Sequence, residues 1–315
     1  MKQITILFIS ILFANYSNAT IRRCNNSNAV QGTYTTAQAA HDAANPGDTI
    51  HLEPTFLGSY GTLTITKQIV VISTGDFINQ NPSIQYSSNI GYCDIIYIQI
   101  GGENSVISCK VASPIYVDAS NILITNSHYA GIYFGSYNSN PLASIIISKC
   151  IIDGVVQMNV SSTDLIITNN YIGSFYFAAS NSSATIAYNV IGNLGYPMIE
   201  NSIVANNIFI SNYAYSFPNS NVSNNISIGA SELPGGNGNI NGVDMSTVFT
   251  NWGAFNGDNY QLNPSYSNQN LGMFAGPDPY KLATTPAIPS IYQLTVPASA
   301  VGNNLNISVS TKSNN

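Results

Sequence analysis

Between Val106 and Ile228 the chain repeats a column pattern of apolar and polar residues, with no helical period. Aligned on one small polar position per run, Cys109, Ser127, Cys150, Asn170, Asn189, Asn207 and Asn225 share a column at spacings of 18, 23, 20, 19, 18 and 18 residues. Three positions earlier stand Val106, Ile124, Ile147, Ile167, Ile186, Val204 and Val222, all β-branched. Two positions before the polar column come Ile107, Thr125, Ser148, Thr168, Ala187, Ala205 and Ser223, mostly small; two after it come Val111, Tyr129, Ile152, Ile172, Ile191, Phe209 and Ser227, mostly apolar.

This pattern predicts a solenoid in which each coil holds a short strand, a bend, a second strand and a looser return. β-branched residues suit a pleated, stacked surface and are expected to point inward, with the next residue facing out. The polar column falls at the bend, where side-chain amides stack into a ladder between coils. One coil cannot bury its apolar side, but neighbouring coils bury it for each other. Asn, Gly and Ser interrupt every run, which rules out a helical period. A propeller repeats at about twice this length, and the leucine positions of leucine-rich repeats are missing.

The columns resemble those of the right-handed parallel β-helix (pectin-lyase-like) superfamily, and two further segments carry the same likeness. Ala39 to Lys67, AAHDAANPGDTIHLEPTFLGSYGTLTITK, looks like the opening of many such proteins: an Ala-rich helix starting near Thr35 or Thr36 over the end of the core, a Pro46-Gly47-Asp48 turn, then the first coil from Thr49. Tyr260 to Tyr280, YQLNPSYSNQNLGMFAGPDPY, is similar to the closing segment of secreted bacterial β-helix proteins, which often carry YxLxPxS and GxFxG elements. The resemblance implies an all-β, right-handed parallel β-helix with a short N-terminal capping helix and a C-terminal strand pair. It speaks for fold and little for activity, because the fold hosts lyases, hydrolases, epimerases, adhesins and passive surface proteins.

The expected organisation follows. Residues 1–19 read as a secretory signal: Lys2, an apolar run from Ile4 to Ala14, then Ser17-Asn18-Ala19 for the peptidase. That run is too short to span a bilayer easily, and no later segment is long and apolar enough, so no membrane span is expected. Residues 20–285 form the β-helix domain, with a polar lead-in and closing loops poor in regular structure. Residues 286–315 alternate apolar and polar and are expected to form a strand pair packed on the last coil.

Composition narrows the partners. Hydrophobic residues make up 44% of the chain and charged residues 7%, with a formal net charge of −6. A chain with eight Lys and Arg cannot neutralise a phosphate backbone, so nucleic acid is not expected. Export permits disulfides. Cys109 and Cys150 lie two coils apart, roughly 9.5 Å, beyond bonding reach; Cys24 and Cys93 remain an open pairing. No CxxC or aspartate-rich loop supports a metal site, and no cofactor is expected.

The paired aspartates, Gly-His-Gly and Arg-x-Lys elements of polygalacturonases are missing, as is a pectate-lyase-type carboxylate cluster with its basic residue. Lys149 with Asp153 is the nearest candidate for a base and a metal ligand, with an exposed surface pair the plainer alternative. His41, His51 and His128 lie far apart along the axis, and His128 reads as a strand-exterior residue. Aromatics recur six or seven positions after the polar column: Tyr133 and Phe134, Tyr176 and Phe177, Tyr196, Tyr213. Exposed, this stripe would bind sugar rings; buried, it would be an internal stack. The expectation is a secreted or cell-surface, non-catalytic β-helix that binds polysaccharide or cell-surface glycan. A polysaccharide lyase or glycoside hydrolase and a purely structural envelope protein are the alternatives.

Overall fold

The computed structural model describes residues 19–312 apart from 28–32, 56, 74–90, 178–181, 197, 213–215, 254–259, 282–289 and 298–306. The leader, Tyr213 and the side chain of Tyr196 lie outside the described residues.

The chain forms a right-handed parallel β-helix. One ten-stranded sheet takes a strand from each coil: Ile21–Cys24, Thr49–Leu52, Val70–Ser73, Val106–Ser108, Leu123–Thr125, Leu142–Ser148, Ser162–Thr168, Ala184–Ala187, Ile203–Ala205 and Asn221–Ser223. A second sheet of twelve strands covers the rest of the circumference in two faces. The face after the polar bend holds Tyr92–Cys93, Lys110–Val111, His128–Tyr129, Ile208–Phe209 and Ile226–Ser227; the next holds Leu63–Ile65, Ile96–Ile98, Ile115–Val117 and Ile132–Phe134. The long strands Ile151–Met158, Tyr171–Phe177 and Val190–Tyr196 run through both. Their corner falls at Gly154 and Gly173, where coils approach so closely that a Cβ would lie 2.1 Å from the carbonyl oxygens of Ala130 and Asp153.

Ile124, Ile147, Ile167, Ile186 and Val204 are fully buried and stack in register along the axis. Each contributes about 1.5–3 kcal/mol of apolar burial. Val106 does not belong to that column. It pairs with Leu123 and is half-buried facing out, while Ile107 pairs with Ile124 and is fully buried. The reason is one residue. From Ser127 onward the bend contains an extra left-handed residue before the polar position, seen at Asn126, Lys149, Asn169, Tyr188, Asn206 and Asn224 with φ of 48–60°. The bend before Cys109 lacks it, so counting back three positions lands one residue early.

The polar ladder is as expected. Asn170, Asn189, Asn207 and Asn225 are fully buried. Each Oδ1 from Asn170 to Asn225 accepts the backbone N–H of the residue one coil earlier, at 2.9–3.0 Å. The Nδ2 groups donate to carbonyls of the preceding strand, such as Ile147, Ile167, Ile186 and Val204. A further rung, Asn239, accepts from Asn225 at 3.0 Å. It stands only 14 residues on, outside the repeat spacing.

All four cysteines are buried and free, Cys24 and Cys93 included. Burial pushes the Cys24 and Cys150 thiols up to about 12. The hydrogen bond with Cys109, then burial, holds Cys93 well above its ordinary value. The helix Ala37–Ala43 begins after Thr36, whose side chain accepts the Ala39 N–H at 3.2 Å, and it buries Ala37, Ala40 and His41. Ser290–Thr295 and Ser308–Lys312 form an antiparallel two-stranded sheet of their own. Among the described residues, no helix is long and apolar enough to cross a membrane.

The closing loops do more than end the chain. On the face after the bend, the outward column Ile151, Val190, Ile208 and Ile226 is buried under Met245, Val248, Phe249, Tyr260, Leu271 and Met273, a second apolar core outside the coils. Residues 270–278 form a strap along the axis that meets the left-handed residues of successive bends. Asn169 Nδ2 donates to the carbonyls of Met273 and Ala275 (3.1 and 2.7 Å), Gly272 N to the Asn206 carbonyl (3.0 Å), and Asn270 Nδ2 to the Tyr188 hydroxyl (3.3 Å).

Candidate functional site

Strand alternation decides which aromatics reach solvent. Phe134 and Phe177 point into the core, 0% and 8% exposed, and cannot meet a ligand. Their neighbours Tyr133 and Tyr176 point out and are half-buried. The proposed stripe therefore splits between two sides of one sheet. Backbone register places Tyr196 beside Tyr176 and Tyr176 beside Gln157, so a glutamine interrupts the outward column.

Upstream the column is unbroken. Tyr97, Tyr116 and Tyr133 are direct cross-strand neighbours. Tyr97 and Tyr116 stack at 5.1 Å and 11°, Tyr116 and Tyr133 at 5.4 Å and 24°. Tyr137 lies edge-on over Tyr97 and Tyr116, at 5.7 and 5.4 Å, and is 66% exposed. Its loop is held by buried Asp118, whose Oδ1 accepts the N–H groups of Tyr137 and Asn138, both at 3.2 Å. Desolvation over the stack, together with the Tyr97 phenol, raises the Tyr137 phenol above its ordinary value. Because the rings in the column cover one another's faces, they present edges and hydroxyls outward. Among the described residues, Tyr137 is the aromatic most open to solvent. Sequence reasoning missed Tyr97, Tyr116 and Tyr137, although Tyr116 stands seven residues after Cys109 and obeys the same spacing rule.

A charged cleft of about 700 Å³ opens on the neighbouring face, lined by Tyr92, Lys110, His128, Tyr129 and Asp153. Tyr92, Lys110 and His128 occupy the outward positions of successive coils. His128 Nε2 and Asp153 Oδ2 are 2.7 Å apart, with the imidazole 23% and the carboxylate 63% exposed. A carboxylate-oriented imidazole is the arrangement a general base uses. The candidate pairing of Lys149 with Asp153, as base and metal ligand, does not form. Lys149 Nζ reaches Asp278 Oδ2 at 2.6 Å instead, at the end of the strap, so Lys149 is an anchoring group. His128 does face outward, as expected, and Asp153 is its partner. Among the described residues, no group of three His, Cys, Asp or Glu side chains is placed to hold a metal ion.

No family model matches the chain, nor does any of the curated proteins or solved structures compared with it.

Proposed function

We propose that this protein is a secreted or cell-surface, non-catalytic β-helix of the pectin-lyase-like kind, and that its tyrosine face binds glycan. The observation that carries this reading is the in-register stack Tyr97–Tyr116–Tyr133 beneath the exposed ring of Tyr137. Coil spacing sets the rings about 5 Å apart, close to the advance of one sugar residue along an extended chain. Phenols join an apolar body to a polar tip, which suits a wet sugar surface. The leader-like residues 1–19 support export, and the scarcity of charge favours a neutral glycan.

The cleft at Lys110, His128 and Asp153 favours a second reading, a polysaccharide lyase or hydrolase, because it brings a basic group, an imidazole and a carboxylate to one open cavity. One experiment separates the two. The protein, Tyr137→Ala and His128→Ala are tested for binding to a glycan array and for release of reducing ends or unsaturated uronate from the same polysaccharides. Binding that Tyr137→Ala weakens about tenfold, with no product released, is the expected result. Product that His128→Ala abolishes replaces the binding reading with the catalytic one. Array binding untouched by Tyr137→Ala removes the tyrosine face from the proposal.

A further inference from the structure

The two outward apolar columns of this molecule are treated differently. On the face after the bend, the outward residues are aliphatic or aromatic where the chain covers them (Ile151, Tyr171, Val190, Ile208, Ile226), and the charged and imidazole groups stand where the cleft is open (Lys110, His128). Composition therefore follows coverage. The ten-stranded sheet breaks that rule. Its outward column runs Val70, Val106, Leu123, Ile146, Ile166, Ile203 in direct register, with Thr185 as the one polar member between them. Ile146, Ile166 and Ile203 remain 37%, 38% and 50% exposed. The column beside it is small: Ser108, Thr125, Ser148, Thr168, Ala187 and Ala205. From Val70 to Ser223 neither column carries a charge.

We infer that this face is the contact between two copies of the chain. A two-fold interface requires a surface that complements itself. A flat, uncharged strip of aliphatic and small side chains does so, since each aliphatic column can lie in the other copy's small-residue column. The area agrees. The eight strands from Val70–Ser73 to Asn221–Ser223, at about 4.8 Å each, give a strip about 38 Å long, and two columns with their side chains make it about 13 Å wide. That is about 500 Å² per copy and about 1,000 Å² in total, the lower bound of a specific interface. An interface at this end of the size range is expected to be weak and its occupancy concentration-dependent. The net charge of −6 per chain opposes it, so added salt strengthens it.

The test is sedimentation equilibrium of the purified protein from about 10 μM to about 500 μM, beside Ile166→Asp. The expected result is a monomer–dimer equilibrium that tightens with salt, and a monomeric variant whose thermal unfolding matches the parent. Ile146→Cys, near the middle of the face, provides a second reading: a spin label there reports a single intermolecular distance in the dimer and none in the monomer, because the native cysteines are all buried. A parent that stays monomeric throughout overturns the inference, as does a dimer that Ile166→Asp leaves intact. Binding to a powdered polysaccharide that is lost in Ile166→Asp, without any dimer, assigns the face to a polymer instead.

Discussion

Asn189 sits at the centre of the buried ladder and serves three coils. Its Oδ1 accepts from the backbone N–H and the Nδ2 of Asn170, and its Nδ2 donates to the carbonyls of Ile167 and Ala187 and to Asn207 Oδ1. Leucine keeps the branched shape, is bulkier, and has none of these groups. Each buried donor or acceptor stranded without a partner costs about 1–3 kcal/mol. Asn189→Leu is therefore expected to lower stability by about 4 kcal/mol in urea unfolding, and Asn189→Ser by less, since Ser127 holds the equivalent place in its own coil. The ladder was legible in the sequence because its amides recur at coil spacing. The left-handed residue beside it was only partly legible. Asn announces that conformation at Asn126, Asn169, Asn206 and Asn224, whereas Lys149 and Tyr188 adopt it without any such preference. Missing that extra residue is what placed Val106 in the core column.

The strap and the second apolar core show what periodicity cannot reveal. Contacts within the coils join residues about 20 apart, and the repeat exposes them. The strap joins Lys149 to Asp278 and Asn169 to Ala275, separations of 129 and 106 residues with no repeat behind them. Residues 260–280 could be recognised as a closing segment from their likeness to others, but nothing in them says which face they cover. The same holds for the tyrosine face: the outward column was visible as a spacing, while Tyr137 reaches it from a loop. The covering contact is expected to depend on ring packing more than on charge. Tyr260 is 4% exposed and stacks on Tyr171 at 4.5 Å and 15°. Tyr260→Ala removes a buried aromatic, worth about 3 kcal/mol. It should free the strap to proteases and raise amide exchange at Ile208 and Phe209. Asp278→Asn breaks an ion pair whose carboxylate is 70% exposed and should cost under about 1 kcal/mol. Equal effects from the two variants would mean that the strap is held by its ends.

Along the whole molecule, groups whose ionisation is tied to folding are concentrated at one end. Burial lowers His41 and His51 below the ordinary imidazole value. His41 is neutral because its Nε2 accepts the Thr66 N–H at 3.2 Å. Burial pushes Asp48 and Glu53 up, but their partners outweigh it and both end lower: Asp48 accepts from the backbone of Asn45 and Thr20 and from Arg22, Glu53 from Arg23 and Asn25. Depressed folded values fix the sign for all four. The unfolded chain takes up protons first, so their contribution is complete above the unfolded pKa and is lost as pH falls through the folded one. The histidine share begins to fade below about pH 6.5, and the carboxylate share below about pH 4. The ladder from Asn170 to Asn225 contains no ionising group. A solenoid is stabilised coil by coil, so local loss need not spread. Hydrogen exchange at pH 4.5 against pH 7.5 should therefore show protection falling at Ile21–Cys24 and Thr49–Leu52 while Ser162–Thr168 and Ala184–Ala187 keep theirs. Uniform loss along the axis would show that the coils unfold as one unit. Replacing His51 with Gln should remove part of the change between pH 6.5 and 5 and leave the step below pH 4 in place, because that step belongs to carboxylates, Asp48 and Glu53 among them.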